Sequence, residues 1–286
     1  MIVDAHHHLW RYVPGRKAWL EARPELGGLR RDFLGPELAA HLRANGIDRT
    51  VIVQSSDSLE DTDFMVGAAH EHPFIAGVVG WLPLDDPRAT ERELERYAAE
   101  PKIKGFRHLI IFDPDPDWNV RPAVVESLRL VAERGYAWDS NATIPRHLEH
   151  VATVAEAIPG LRQVIDHLGK PAVTEGQWEP WASLIARAAS FPNVYVKLSG
   201  LANVATLANA TRAQFQPYVD HVLALFGPTR VMIASNWPVS NLGAPYAKTW
   251  NDTLATIAGL APADREAILG GTATRFYRLD AGTRPS

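Results

Sequence analysis

A chain of 286 residues with 29 Lys and Arg against 33 Asp and Glu carries a net charge of −4, without the basic excess expected of a nucleic-acid binder. Its 46% hydrophobic content excludes a disordered or fibrous chain, and the absence of cysteine excludes disulfides and thiolate metal sites, so any metal must be held by nitrogen and oxygen. The length suits one large domain. No basic start followed by an apolar run opens the sequence, and the most apolar stretch, Phe74 to Leu84, is about half the roughly 20 residues of a spanning helix. The expectation is a soluble cytoplasmic protein acting on a small molecule, with neither nucleic acid nor membrane as partner; assembly into a homo-oligomer stays open.

Eight short runs have the composition of strands: Ile2–Ala5, Thr50–Val53, Ile75–Gly80, Ile103–Phe106, Tyr136–Trp138, Gln163–Ile165, Val194–Val196 and Val231–Ala234. Helical patterns lie between them, among them Gly35–Asn45, Arg88–Ala99, Ala123–Glu133 and Arg146–Ala157. In the third, Val124, Val125, Leu128, Leu130 and Val131 mark one buried stripe. Strands separated by such helices give right-handed βαβ units and a parallel sheet. Eight units, with no Gly-rich dinucleotide fingerprint after an early strand, predict a single-domain α/β fold, the (β/α)₈ barrel. The longest interruptions, Trp10–Leu34 after strand one and Ile111–Arg121 after strand four, fall on the rim where barrels build their sites.

The residues at the C-terminal strand ends are His6 and His8, Gln54, Trp81, Arg107 with His108, Asp139, Asp166 with His167, Lys197, and Asn236 with Trp237. His6 and His8 are two apart on a strand and share a face, so both imidazoles can converge on one divalent ion, zinc being the natural choice, while His7 points outward. The bland alternative is a polar plug at the barrel end. His167 is a third ligand or a group that polarises a carbonyl, against the alternative of a buried structural histidine; alternation turns the neighbouring Asp166 away from the lumen. Either Arg107 or His108 faces inward to hold an anionic group, Asp139 is a proton acceptor, metal ligand or helix cap, and Lys197 an interior ion-pairing lysine. Trp10, Trp81, Trp118, Trp138 and Trp237, at or just past strand ends, form a rim of indoles suited to a sugar-like or planar ring.

These residues sit in a recognisable series: VDAHHHLW, VQSS, GVVGWLPL, KGFRHL, DHLGKP, VYVKLSGL, ASNWPVS and GGTATRFY, in that order. The series resembles the lactonase branch of the amidohydrolase superfamily from Val3 to about Tyr277. The resemblance implies a (β/α)₈ barrel that hydrolyses the ring ester of a sugar-acid or dicarboxylic lactone. It assigns the family's His-x-His pair to His6 and His8, its strand-six histidine to His167 and its strand-four pair to Arg107 and His108; Gln54, Trp81, Trp10 and Trp237 are candidate substrate contacts from their places at the strand ends. It implies at most one divalent metal ion, with metal-free operation as the alternative. One departure stands out: where lactonases of this branch carry a strand-eight aspartate as general base, this chain has Asn236, whose amide has no basicity near neutral pH. Natural variation, an introduced inactivating change and a chain that no longer catalyses are the three explanations. In the first case the base is another group, Asp139 being the next candidate. The rival functions are a metal-dependent non-oxidative decarboxylase of the same superfamily and a silent binding protein.

Overall fold

The computed structural model describes residues 1–200 and 211–279. Eight parallel strands follow one another around a single sheet in sequence order: β1 (Val3–His7), β2 (Arg49–Val53), β3 (Ile75–Gly80), β4 (Ile103–Arg107), β5 (Ala137–Ser140), β6 (Arg162–Ile165), β7 (Val194–Leu198) and β8 (Val231–Ile233). Backbone bonds from Asn236 N to His6 O (2.8 Å) and from His8 N to Trp237 O (2.7 Å) join the last strand to the first and close the ring. Several strands run one or two residues past the expected ends, into Arg107, Asp139 and Leu198. Backbone pairing continues there although Arg107, Asp139 and Lys197 interrupt the apolar run; β8, in contrast, stops at Ile233, one residue short.

A helix follows each strand: α1 (Gly35–Asn45), α2 (Leu59–Glu71), α3 (Pro87–Arg96), α4 (Pro122–Glu133), α5 (Pro145–Ala157), α6 (Trp181–Ala189), α7 (Arg212–Phe226) and α8 (Tyr246–Thr256). Proline opens α3, α4 and α5, where its fixed φ is preorganised and its missing N–H costs nothing. The side chain of Asp86 accepts from Arg88 N and Ala89 N at the head of α3, and α1 stops at Gly46 with φ 66. In α4 the fully buried stripe is Val124, Ser127, Leu128 and Val131, with Val125 and Leu130 half-buried beside it. Ser127 fits because its hydroxyl donates to Leu84 O at 2.8 Å. Helices such as α2 and α8 bury Thr62, Ala68 and Ala69, or Thr249, Thr253 and Thr256, and small or hydroxylated residues of this kind blur the apolar period.

Two apolar layers hold the barrel. Inside, Val3, Ala5, Val51, Val53, Val79, Ala137, Val164, Met232 and Ala234 form one buried cluster with Phe276 and Tyr277 of the C-terminal helix Thr272–Tyr277. Outside, Ile52, Phe106, Trp138 and Ile165 pack against the helices. The excursion after β1 leaves and returns through paired backbone bonds between Trp10 and Phe33, both 3.0 Å. It is tied down by Lys17, whose ammonium donates to Ser55 Oγ (2.7 Å) and Ser56 Oγ (2.8 Å). Among the described residues, no helix is long and apolar enough to cross a membrane.

Candidate active site

The pairing of β1 with β2 shifts register between Asp4 and His7. Before the shift, Asp4 faces outward and accepts from Tyr246 Oη of α8 at 2.9 Å. After it, His6 and His8 meet with their Nε2 atoms 3.2 Å apart, while His7 turns to Thr50 Oγ1 at 2.9 Å. The irregularity re-aims the imidazoles, as bulges near functional sites do.

The end of β6 breaks alternation differently. His167, Leu168, Gly169 and Lys170 all have left-handed backbone, with φ of 55, 57, 67 and 50. For a non-glycine residue this costs roughly 1–2 kcal/mol, so packing must hold the turn. Trp181 Nε1 donates to Leu168 O at 2.7 Å, and His167 Nδ1 lies 2.7 Å from Ser199 Oγ. The turn also corrects the reading of Asp166 as directed away from the lumen. Asp166 follows Val164 onto the inner face, and the left-handed step brings His167 to the same side.

Asp166 is the hub of a fully buried charge cluster. Its carboxylate takes Arg107 Nη1 at 2.9 Å, Lys197 Nζ at 3.1 Å and His6 Nδ1 at 3.2 Å. Lys197 also pairs with Asp139, which accepts from Tyr277 Oη at 2.8 Å. Two cations thus face two carboxylates. Burial alone would raise the Asp166 pKa, but Lys197, His6 and Arg107 outweigh it and hold the carboxyl well below the usual range. At Asp139 burial prevails over the pull of Lys197, and its pKa rises to about 6. Burial drives the histidines the other way: His6 and His8 lie well below their ordinary value and His167 falls to about 3, so all three are neutral at pH 7.

His6, Asp166 and His167 offer ligand atoms within 4.8 Å of one another. The His6–His8 separation matches the geometry of two imidazoles on one tetrahedral zinc, where bonds of 2.0–2.1 Å place the nitrogens about 3.3 Å apart. His8 Nδ1 donates to Val53 O at 2.8 Å, which leaves its Nε2 lone pair free to coordinate. This donor set fits a divalent metal ion. Arg107 Nη1, 3.3 Å from His6 Nε2, competes for the lone pair of that second imidazole.

Above the cluster opens a cavity of about 650 Å³ whose lining includes His8, Arg107, His167, Ser199 and Asn236. His6 sits just beneath, its ring centroid 4.7 Å from that of His167. Asp139 does not line the cavity: Lys197 and Tyr277 enclose its carboxylate inside the barrel. The other expected substrate contacts also lie outside the cavity wall. Gln54 holds Arg107, accepting from its Nη2 at 2.6 Å, and its own amide donates to Asp57. His108 stacks on Trp118 with centroids 3.8 Å apart, and Trp81 Nε1 donates to its Nδ1 at 3.4 Å. Trp10 and Trp237 are buried edge-on against Phe33. The indoles fill the gap between barrel and loops, because bulky rings at strand ends bury more area there than in an open cavity. Instead, the aromatic wall comes from Trp19 and Phe112, stacked with centroids 6.0 Å apart. Ser199, Asn141, Arg23 and Lys170 were not singled out in the sequence; the placement of Lys170 three residues after His167, in DHLGKP, was the available signal.

Known proteins give this geometry its context. A family model described as amidohydrolase matches residues 3–279. An L-fucono-1,5-lactonase from Burkholderia ambifaria is 34% identical over 99% of this chain and 97% of its own length. The crystal structure of an amidohydrolase from Burkholderia multivorans with bound zinc superposes with a TM-score of 0.88 at 28% identity, covering 98% of this chain and all of that one. A 5-carboxyvanillate decarboxylase from Sphingomonas paucimobilis, at 16% identity and a TM-score of 0.65, shares the fold alone. With its histidine pair on β1, its strand-six histidine turn and a family match spanning the barrel, the chain belongs to the amidohydrolase family.

Proposed function

We propose that this chain opens the ring ester of a sugar-acid or dicarboxylic-acid lactone by water attack at the barrel mouth. The observation that carries the reading is the near full-length likeness to L-fucono-1,5-lactonase in a chain whose cavity is lined by two neutral imidazoles and the buried Arg107 guanidinium. Arg107 is held rigidly by Asp166 and the Gln54 carbonyl, and its buried Nε has no partner among the described residues. A preorganised cation of this kind stabilises charge developing on the ester carbonyl oxygen. Ser199 fixes the ring of His167 and leaves Nε2 for the substrate.

Asn236 lines the cavity but cannot accept a proton from water, and Asp139 is sealed below. Among the buried groups lining the cavity, the proton acceptors left are His167 and, with no metal on its Nε2, His8; burial makes them weak bases, and negative charge developing on the substrate strengthens them. His6 and His8 would hold a divalent ion, and zinc suits imidazole donors and is the ion in the B. multivorans relative. Bound there, it would supply Lewis-acid polarisation of the carbonyl. Metal-free turnover is the alternative, and zinc titration monitored by thermal stability, beside turnover after chelation, separates the two.

The test of the function is a pH-indicator assay on L-fucono-1,5-lactone and a panel of sugar-acid and dicarboxylic lactones. Turnover above the spontaneous rate is expected; silence across the panel overturns the reading. In the same assay Asn236→Asp raises the rate if the amide is an inactivating change. A silent binding protein is the second reading. It is favoured by one observation: among the described residues, the carboxylates lining the cavity are Glu25 and Glu175, both exposed.

A further inference from the structure

The left-handed turn after β6 delivers two side chains to one cavity, His167 and Lys170. The second has no role in the chemistry described so far. Lys170 N is bonded to His167 O at 2.9 Å, which fixes where the side chain starts. Lys170 is exposed and lines the cavity. The surrounding walls remove enough water to push its ammonium down to about 8; Arg107 and Arg23 push the same way, and only Asp166 opposes them.

Three other cations of the barrel mouth have partners. Arg107 and Lys197 share Asp166, and Lys17 pairs with Asp61. Among the described residues, Lys170 has no ion pair, and neither does Arg23, whose guanidinium lies 5.4 Å from the Phe112 ring centre on the facing loop. Glu25 and Glu175 lie on the same wall without pairing with either. Like charges gathered at a partly dehydrated wall repel, and an anion placed among them relieves that repulsion. The 650 Å³ cavity has room for a sugar acid.

We infer that Lys170 and Arg23 form a carboxylate-binding corner of the cavity, which holds a sugar acid by its carboxylate. The carboxylate is one that the lactone itself bears or one released when the ring opens. That identification rests on the lactonase reading, whereas the corner itself does not.

The test compares L-fuconate, galactarate and the uncharged polyol L-fucitol by calorimetric titration of the full chain. Wild-type protein is expected to bind at least one of the acids more tightly than L-fucitol. Lys170→Met and Arg23→Met are each expected to weaken that acid about tenfold, and Lys170→Arg to restore most of the affinity. Arg23 lies on an exposed loop, so its variant tests the corner even if the turn tolerates no change at Lys170. If neither acid binds better than L-fucitol, or if both Met variants bind the acids as wild type does, the corner is overturned.

Kinetics locate the source of the carboxylate. A raised KM for a lactone bearing a free carboxylate, with L-fucono-1,5-lactone unaffected, assigns the corner to the substrate. Relief of product inhibition by L-fuconate, with KM unchanged, assigns it to the product. Tight acid binding through Lys170 without turnover of any lactone would defeat the lactonase reading alone. Turnover with acid binding indifferent to Lys170 and Arg23 would defeat the corner alone.

Discussion

Arg107 and Lys197, at the centre of the barrel, each pair with a carboxylate, while Lys170 and Arg23, on the cavity wall, have none among the described residues. Two dehydrated cations inside the barrel would be prohibitive without Asp139 and Asp166, since burying an unpaired charge costs several kcal/mol. On the wall, Lys170 and Arg23 are only partly enclosed, so the fold can leave them without a counter-charge. The inner charges therefore shape the site, and the outer ones are free to meet a ligand.

Asp166→Asn tests the inner half most severely, because one substitution takes the shared counter-charge from Arg107 and Lys197. A loss of about 3–5 kcal/mol in denaturant unfolding is expected, together with loss of activity; a change under about 1 kcal/mol would show that the cluster does not depend on this carboxylate. His167→Asn separates chemistry from fold. Asparagine tolerates left-handed backbone, so stability should hold while kcat falls by about 10²–10⁴, and retained turnover would remove His167 from the reaction. The smallest effect is a pH trend. Burial raises the folded-state pKa of Asp139 to about 6, above its unfolded value, so the folded state binds this proton first. Its contribution to stability then grows as pH falls from about 7 to about 5. Wild-type stability minus that of Asp139→Asn, followed by urea unfolding, should rise as pH falls over that interval; a difference that decreases would mean that Lys197 dominates the titration.

Much of this was legible in the sequence. The eight strand runs and the His-x-His spacing are local, period-two signals, and prolines marked the starts of α3, α4 and α5. What misled was also local. Strict alternation placed Asp166 outside, although the left-handed turn at His167 lets both residues face the site. Position at a strand end put Trp10, Trp81, His108, Trp237 and Gln54 against substrate, whereas packing partners decide which side of the rim each ring fills. The aromatic wall came instead from Trp19 and Phe112, which are 93 residues apart and meet only because the first loop folds back over the fourth.

By itself, the sequence determined the barrel, the end at which polar residues gather and the family, because hydrophobic period and motif order are properties of the chain read locally. Which carboxylate neutralises which cation, which histidines share a metal-sized gap and which cations of the cavity wall have no ion pair among the described residues were decided only by the tertiary structure. Those outcomes depend on desolvation and on contacts between β1, β4, β6 and β7, segments that lie far apart until the barrel closes.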